Sequence, residues 1–280
     1  MNPSSPTWGR LFRALTFVFL VLAAFTFVAP FLTCLSLSFK SADEISKTAQ
    51  WALPKQPTLE NYVALMKPGS FDFPSSLRHS FLISALSTLG MVLSSSLVAY
   101  TLARLKFRGR DKLFTILVLT MMLPGILTLV PSYLFFARLH WVDTFLPLIV
   151  PAWFGGGFSI FLLRQFYMGL PRDLDESAFL DGASHIRVWW QIILPSAQPA
   201  LITVALLSFV TTWRDLLGPL VYLNDPAKTT IEQGLAVANN STQPWSLLMA
   251  GSILTILPLA AIYLIGQKYL SRGMVLAGIR

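Results

Sequence analysis

Apolar residues gather in this chain into six long runs: 14–39, 79–103, 113–137, 144–163, about 197–220, and a stretch within 245–267. Five of them carry no Asp, Glu, Lys or Arg; the fifth in order carries Arg214 and Asp215 near its end. A helix needs about 20 mostly apolar residues to cross the hydrocarbon core of a bilayer. Each run therefore predicts one transmembrane helix, and the chain reads as an all-α membrane protein with six transmembrane helices. The first run follows Arg10 and Arg13 as a signal peptide would. It is longer than the roughly 7–15 residues of a signal-peptide core, and no small-x-small site closes it, so an uncleaved helix is expected.

The polar positions between the runs set the orientation. Arg104, Lys106, Arg108, Arg110 and Lys112 crowd between the second and third runs, whereas Arg138 stands alone between the third and fourth. Arg10 and Arg13 precede the first run, and Lys268, Arg272 and Arg280 follow the last. Short loops rich in Lys and Arg stay in the cytoplasm, which predicts that the N- and C-termini are both cytoplasmic. The expected order is a cytoplasmic N-terminus (1–13), a first transmembrane helix (14–39), an external loop (40–78), a core (79–270) and a cytoplasmic tail (271–280). Within the core fall a cytoplasmic loop (168–196) and a second external loop (221–246). The first external segment is rich in Pro, Ser and Lys, and Thr58 predicts the cap of a short helix near 59–66.

Composition agrees with this division. The 280 residues are 54% hydrophobic and only 12% charged, against about 25% charged in soluble domains. The net charge of +8 resides in residues between apolar runs, the pattern of cytoplasmic loops rather than of a nucleic-acid-binding face. The single cysteine, Cys34, lies inside an apolar run, which excludes an internal disulfide or a cysteine metal cluster.

What the runs lack narrows the function. Ion-coupled transporters bind their driving ion on carboxylates or histidines within the membrane. Apart from Asp215, the interiors of the runs have no Asp or Glu, and His140 and His185 fall in loops. Arg214 and Asp215 are neighbours, so on a helix they point about 100° apart. The chain has no G-x-x-x-x-G-K-[ST] phosphate loop, H-E-x-x-H or G-x-S-x-G motif. No catalytic residue and no metal site is expected, and a pump built from this chain takes its energy from another polypeptide. An ion-coupled secondary transporter is the competing class.

The segment 171–195 carries the most specific pattern. Pro171 suits the first position of a helix, and Asp173, Asp175 and Glu176 favour its N-terminus. Gly182 ends it. A second helix is expected over about 184–193, where Ile186, Trp189, Trp190 and Ile193 recur at i, i+3, i+4 and i+7 on one face. Pro195 ends it. Read by periodicity alone, this is a cytoplasmic helical hairpin, equally suited to lying on a lipid surface.

The same segment resembles the Glu-Ala-Ala loop of permease subunits of ABC importers. Glu176, Ser177 and Ala178 stand in the triplet, with Ser177 departing from the usual Ala. Asp181, Gly182 and Ala183 follow at the family's spacing, and Ile192, Leu194 and Pro195 close the pattern. Carbohydrate-uptake permeases are resembled further at 57–62, 121–124, Pro131, 144–147, 160–166, Trp213, Leu216, Leu217, Pro219, Leu220, Asp225, 267–269, Gly273 and Gly278. Arg214 departs, that position often being Asn in the family. The likeness to maltose-type second permeases covers nearly the whole chain.

The resemblance implies a type I ABC importer permease fold, a loop that couples to an ATPase, and transport of a sugar or related polyol by alternating access. Glycerol phosphate or another non-sugar solute is the alternative cargo. It implies as partners a second permease subunit, two ATPase subunits that bind ATP and Mg, and an extracytoplasmic solute-binding protein. It locates the chain in the bilayer of a bacterial or archaeal cytoplasmic membrane. The chain itself is expected to bind no cofactor and no nucleic acid. A sugar path needs aromatic platforms and hydrogen-bonding groups, for which Ser95, Tyr100, Ser159, Thr212, Trp213, Arg214 and Asp215 are the candidates, although Ser and Thr also pack membrane helices closely.

Overall fold

The computed structural model describes residues 6–67, 72–239 and 244–276. The stretches 1–5, 68–71, 240–243 and 277–280 lie outside the described residues; they take in the start of the N-terminal segment, parts of both external loops, and Gly278 and Arg280 of the tail. Among the described residues every regular element is a helix. In chain order they are α1 (Pro6–Ser38), α2 (Ala42–Lys47), α3 (Glu60–Leu65), α4 (Phe73–Arg104), α5 (Arg110–Thr120), α6 (Ile126–Arg138) and α7 (Leu146–Ile149). A 3-10 turn (Val150–Phe154) leads to α8 (Gly157–Met168), α9 (Asp173–Leu180) and α10 (His185–Val188). A π-helical segment (Trp189–Ile193) and the single turn α11 (Leu194–Ser196) precede α12 (Gln198–Trp213) and α13 (Leu217–Tyr222). After a 3-10 turn (Pro226–Lys228) come α14 (Ile231–Asn239) and α15 (Trp245–Leu276).

Among the described residues four helical stretches are long and apolar enough to cross a membrane: Phe12–Ser38, Phe73–Arg104, Leu146–Met168 and Trp245–Lys268. His185–Ser196 with Gln198–Trp213, bent by 82°, makes a fifth if the pair is one span. The third apolar run departs from the sequence expectation of one helix, because it is divided into α5 and α6. Pro124 lacks an amide hydrogen and disfavours helix in the residue before it, and Gly125 follows. Neither half, at 11 and 13 residues, reaches the length of a full crossing.

The chain packs as two units, one made of the residues before Phe73 with Leu235–Ile256, the other of Phe73–Gly234 with the residues from Leu257 onward. In the first, the most apolar window of α1 has none of its residues buried. Such a surface is stable only against lipid or another apolar chain. Asn61 finishes α1: its side-chain amide donates to the carbonyls of Ser38 (2.9 Å) and Lys40 (2.8 Å), satisfying oxygens that a helix end leaves unpaired. The Ser38 and Tyr62 hydroxyls meet at 2.7 Å. The 57–62 motif thus works as a cap.

In the second unit α4 is the central helix, packed on α8 and α12. Much of its buried face is made of small residues, with Ser80, Ser84, Ser87 and Gly90 turned inward, which lets neighbouring backbones approach closely. At Gly90 the indole of Trp153 occupies the space a β-carbon would take. The core continues through Leu163, Val188, Ile193 and Ala200, each fully buried.

Candidate functional site

The segment from Arg172 to Pro195 builds its shape from local rules. α9 starts on Asp173, Asp175 and Glu176. It ends in a Schellman turn: the Gly182 amide donates to the Phe179 carbonyl and the Ala183 amide to the Ala178 carbonyl, each at 3.0 Å. That turn needs a left-handed residue, and Gly182 sits at φ +80°. Ser184 then caps α10, its hydroxyl accepting from the Arg187 amide. No atom lies within 4 Å of where a β-carbon on Gly182 would project. One side of the turn is therefore bare.

The second helix differs from the sequence expectation. After α10 the backbone passes into a π turn, which inserts a residue into the 3.6-residue repeat. The four apolar residues expected on one face are split. Trp189 (8% exposed) and Ile193 (0%) face the bundle beside Val188, while Ile186 (70%) and Trp190 (57%) face outward. Leu180, 89% exposed, joins the outward group. Ala178 is buried, Ala183, Ile192 and Leu194 pack against the core, and Glu176, Ser177, Asp181, Gly182 and Pro195 are exposed. The Ser177 hydroxyl donates to the Asp173 carbonyl of its own helix at 2.8 Å, so the group that departs from Ala is satisfied within the loop.

Two polar contacts tie this loop to the bundle, and neither was foreseen from sequence. Asp175 pairs with Arg104 at the last turn of α4 (3.2 Å), with side chains 9% and 5% exposed. Arg104 also donates to the Leu170 carbonyl at 3.0 Å. Burial pushes the Asp175 carboxyl above its ordinary value, and the Arg104 charge pulls it back. Further along, the Trp189 indole donates to the Ser96 hydroxyl (2.9 Å), which shares a hydrogen bond with the Tyr167 hydroxyl (2.7 Å). Nearby, Arg164 is held between the Leu102 carbonyl (3.3 Å) and the face of Phe114 (3.9 Å). The one available signal was a charged or polar residue in an otherwise apolar setting.

The candidate path residues fall into separate places. Ser95 is fully buried in α4, its hydroxyl accepting from the Gly156 amide at 3.2 Å. Tyr100 is buried in the last turns of α4, on the helix that carries Arg104. Ser159 is half-buried at the start of α8. Thr212, Trp213 and Asp215 come together with Ser80, Ile83, Leu148, Pro219 and Thr230 around a cavity of about 20 Å³, the room a single water needs. Trp213 also lines a larger apolar groove with Phe81, Leu82 and Pro258. Arg214 and Asp215 do not lie within a helix, as the sequence suggested. α12 stops at Trp213, Arg214 is its exposed C-cap, and Asp215 accepts from the Gly218 amide (3.1 Å) where α13 begins.

A third polar cluster joins the loop before α7 to the loop after α13. Asp143, in the left-handed region at φ +64°, accepts from the amides of Asn224 (3.1 Å) and Asp225 (3.0 Å). Lys228 donates to its carboxylate (3.2 Å) and its carbonyl (2.8 Å). The Asp225 amide first, then that of Asn224 and Lys228, hold the Asp143 carboxyl below its ordinary value. Among the described residues no group of three or more His, Cys, Asp or Glu is arranged to hold a metal.

Residues 91–276 match the family described as the binding-protein-dependent transport system inner membrane component. The trehalose/maltose transport system permease protein MalG of Thermococcus litoralis is 34% identical over 96% of this chain and 97% of that protein. Among solved structures, a bacterial ABC transporter involved in the import of the acidic polysaccharide alginate superposes with a TM-score of 0.84 at 21% identity, covering 96% of this chain and 100% of that one. A bacterial alginate ABC transporter in complex with its alginate pentasaccharide-bound periplasmic protein gives a TM-score of 0.66 at 17% identity, over 96% and 98%.

Proposed function

The chain belongs to the inner-membrane component family of binding-protein-dependent ABC importers, and from that premise we propose that it moves a sugar or related polyol inward by alternating access. The observation that carries this reading is the outward side of the 172–195 loop. It combines a bare glycine turn at Gly182 with exposed Leu180, Ile186 and Trp190, on the side of the membrane that loop charge assigns to the cytoplasm. An exposed apolar cluster of this kind is what a protein partner covers.

In this reading the partner is an ATPase subunit, one of two in the assembly, which binds ATP and Mg. Glu176, Asp181 and Gly182 meet its groove, Ala178, Ala183, Ile192 and Leu194 hold the loop's shape from behind, and Pro195 closes it. A second permease subunit and the bilayer cover α1, whose most apolar window has no buried residue among the described residues. Six crossings with both termini in the cytoplasm account for the loop charges, α5 and α6 together making the third. The external loops, including the Asp143–Lys228 cluster, face the solute-binding protein of a bacterial or archaeal cell. The chain contributes no catalysis; closure of the ATPases moves the loop and with it the helices. Sugar as cargo is supported by the named substrates of the permeases and transporters it is similar to.

The test is purification of the tagged chain from its native membrane. The reading expects an ATPase and a second permease to co-purify, and ATP hydrolysis to rise when the cognate binding protein loaded with its sugar is added. A chain that purifies alone and transports without ATP would overturn it.

A further inference from the structure

The exposed side of the loop explains how a partner grips it; the buried side bears on how a movement reaches the membrane helices. Most of that side is apolar packing, which is non-directional and permits sliding. Two polar contacts cross it, and the second is a directional hydrogen bond. At one end of the loop the buried Asp175–Arg104 ion pair sets α9 against the last turn of α4. At the other, Trp189 in the π segment donates to Ser96 of α4, which is bonded in turn to Tyr167 of α8. Ser96 and Tyr167 are fully exposed to nothing but protein, both at 0% accessibility, so sliding would leave buried hydroxyls and an indole N–H without partners, a costly state. Trp189 points inward at the start of the π segment while its neighbour Trp190 faces out.

Resting on the proposed function, we infer that the Trp189–Ser96–Tyr167 chain is the transmission pin of this subunit: it makes α4 and α8 follow the loop as one body. Trp189, Ser96 and Tyr167 are positioning residues for coupling, acting through helix movement and not on the solute.

Trp189→Phe keeps the ring and removes the donor; Tyr167→Phe removes one hydroxyl from the far end. Both variants are tested in the complete assembly in proteoliposomes, reading solute moved per ATP hydrolysed beside the yield and melting temperature of the purified complex. The pin predicts a fall of roughly two- to tenfold in solute per ATP for either variant, the range set by one hydrogen bond's worth of stabilisation, with the complex assembled normally. The double variant is expected to lose no more than the worse single one, because both interrupt the same chain. An unchanged ratio in both variants would overturn the inference, as would losses that merely track the amount of complex recovered. A wild-type assembly without ATP-driven uptake would instead overturn the proposed function, so the two failures are distinguishable.

Discussion

Substitution of Gly182 separates two demands made on one residue. The first is conformational. At φ +80° a side chain costs about 1–2 kcal/mol relative to glycine, and nothing within 4 Å would clash with a β-carbon, so strain is the whole cost of Gly182→Ala. That is a factor of about 5–30 in the balance between the formed and the frayed turn. Asn enters the left-handed region more readily, so Gly182→Asn keeps the turn but fills its bare side. The Ala183 amide, bonded to the Ala178 carbonyl only while the turn is formed, reports the difference. Its hydrogen exchange is expected to speed up roughly 5–30-fold in Gly182→Ala and only slightly in Gly182→Asn. Binding-protein-stimulated ATP hydrolysis reads the second demand, free approach of the partner. If that dominates, Asn impairs coupling more than Ala, and Gly182→Trp abolishes uptake while the protein still inserts. Unchanged Ala183 exchange in Gly182→Ala would refute the strain argument, and normal uptake by Gly182→Trp would refute the docking argument.

Three further outcomes follow from other contacts. Arg104→Met is expected to destabilise the purified protein by about 3 kcal/mol, since it leaves Asp175 buried without its counter-charge, and thermal melts of the variant beside wild type check it. Asp143 is held below its ordinary value, so its contribution is fully present above the usual carboxylate range and is lost as pH falls through its lowered value; comparing melts of wild type and Asp143→Asn across that acid range, the wild-type advantage should vanish only at the low end. Gly90→Ala puts a methyl where the Trp153 ring sits, an overpacking cost of about 1–3 kcal/mol, and adding Trp153→Leu is expected to recover part of it in the same melts.

The sequence and the structure part company at identifiable physical points. Hydropathy locates apolar stretches because transfer into lipid depends on summed composition, and α1, α4 and α15 occupy the runs that predicted them. It is blind to a backbone break inside an apolar run. Pro124 and Gly125 divide α5 from α6 within one such run, and α12 ends at Trp213 although apolar residues continue past Arg214 and Asp215. The Gly182 turn was legible because left-handed backbone has a residue signature. The π turn was not, since it violates the repeat by which faces are counted, and neither was the line that divides the expected face and leaves Ile186 and Trp190 outward. The pairings of Asp175 with Arg104 and of Trp189 with Ser96 join positions 71 and 93 residues apart, a proximity that only the packing of α4 against the loop creates.

The most direct measurement for the account as a whole is uptake into proteoliposomes holding this chain with its co-purified subunits, the sugar-loaded binding protein outside and ATP inside. Uptake that requires both ATP and the binding protein, and that persists when a protonophore and a sodium ionophore collapse every ion gradient, is the predicted result. Uptake that runs without ATP and stops when the ion gradients are collapsed would contradict it.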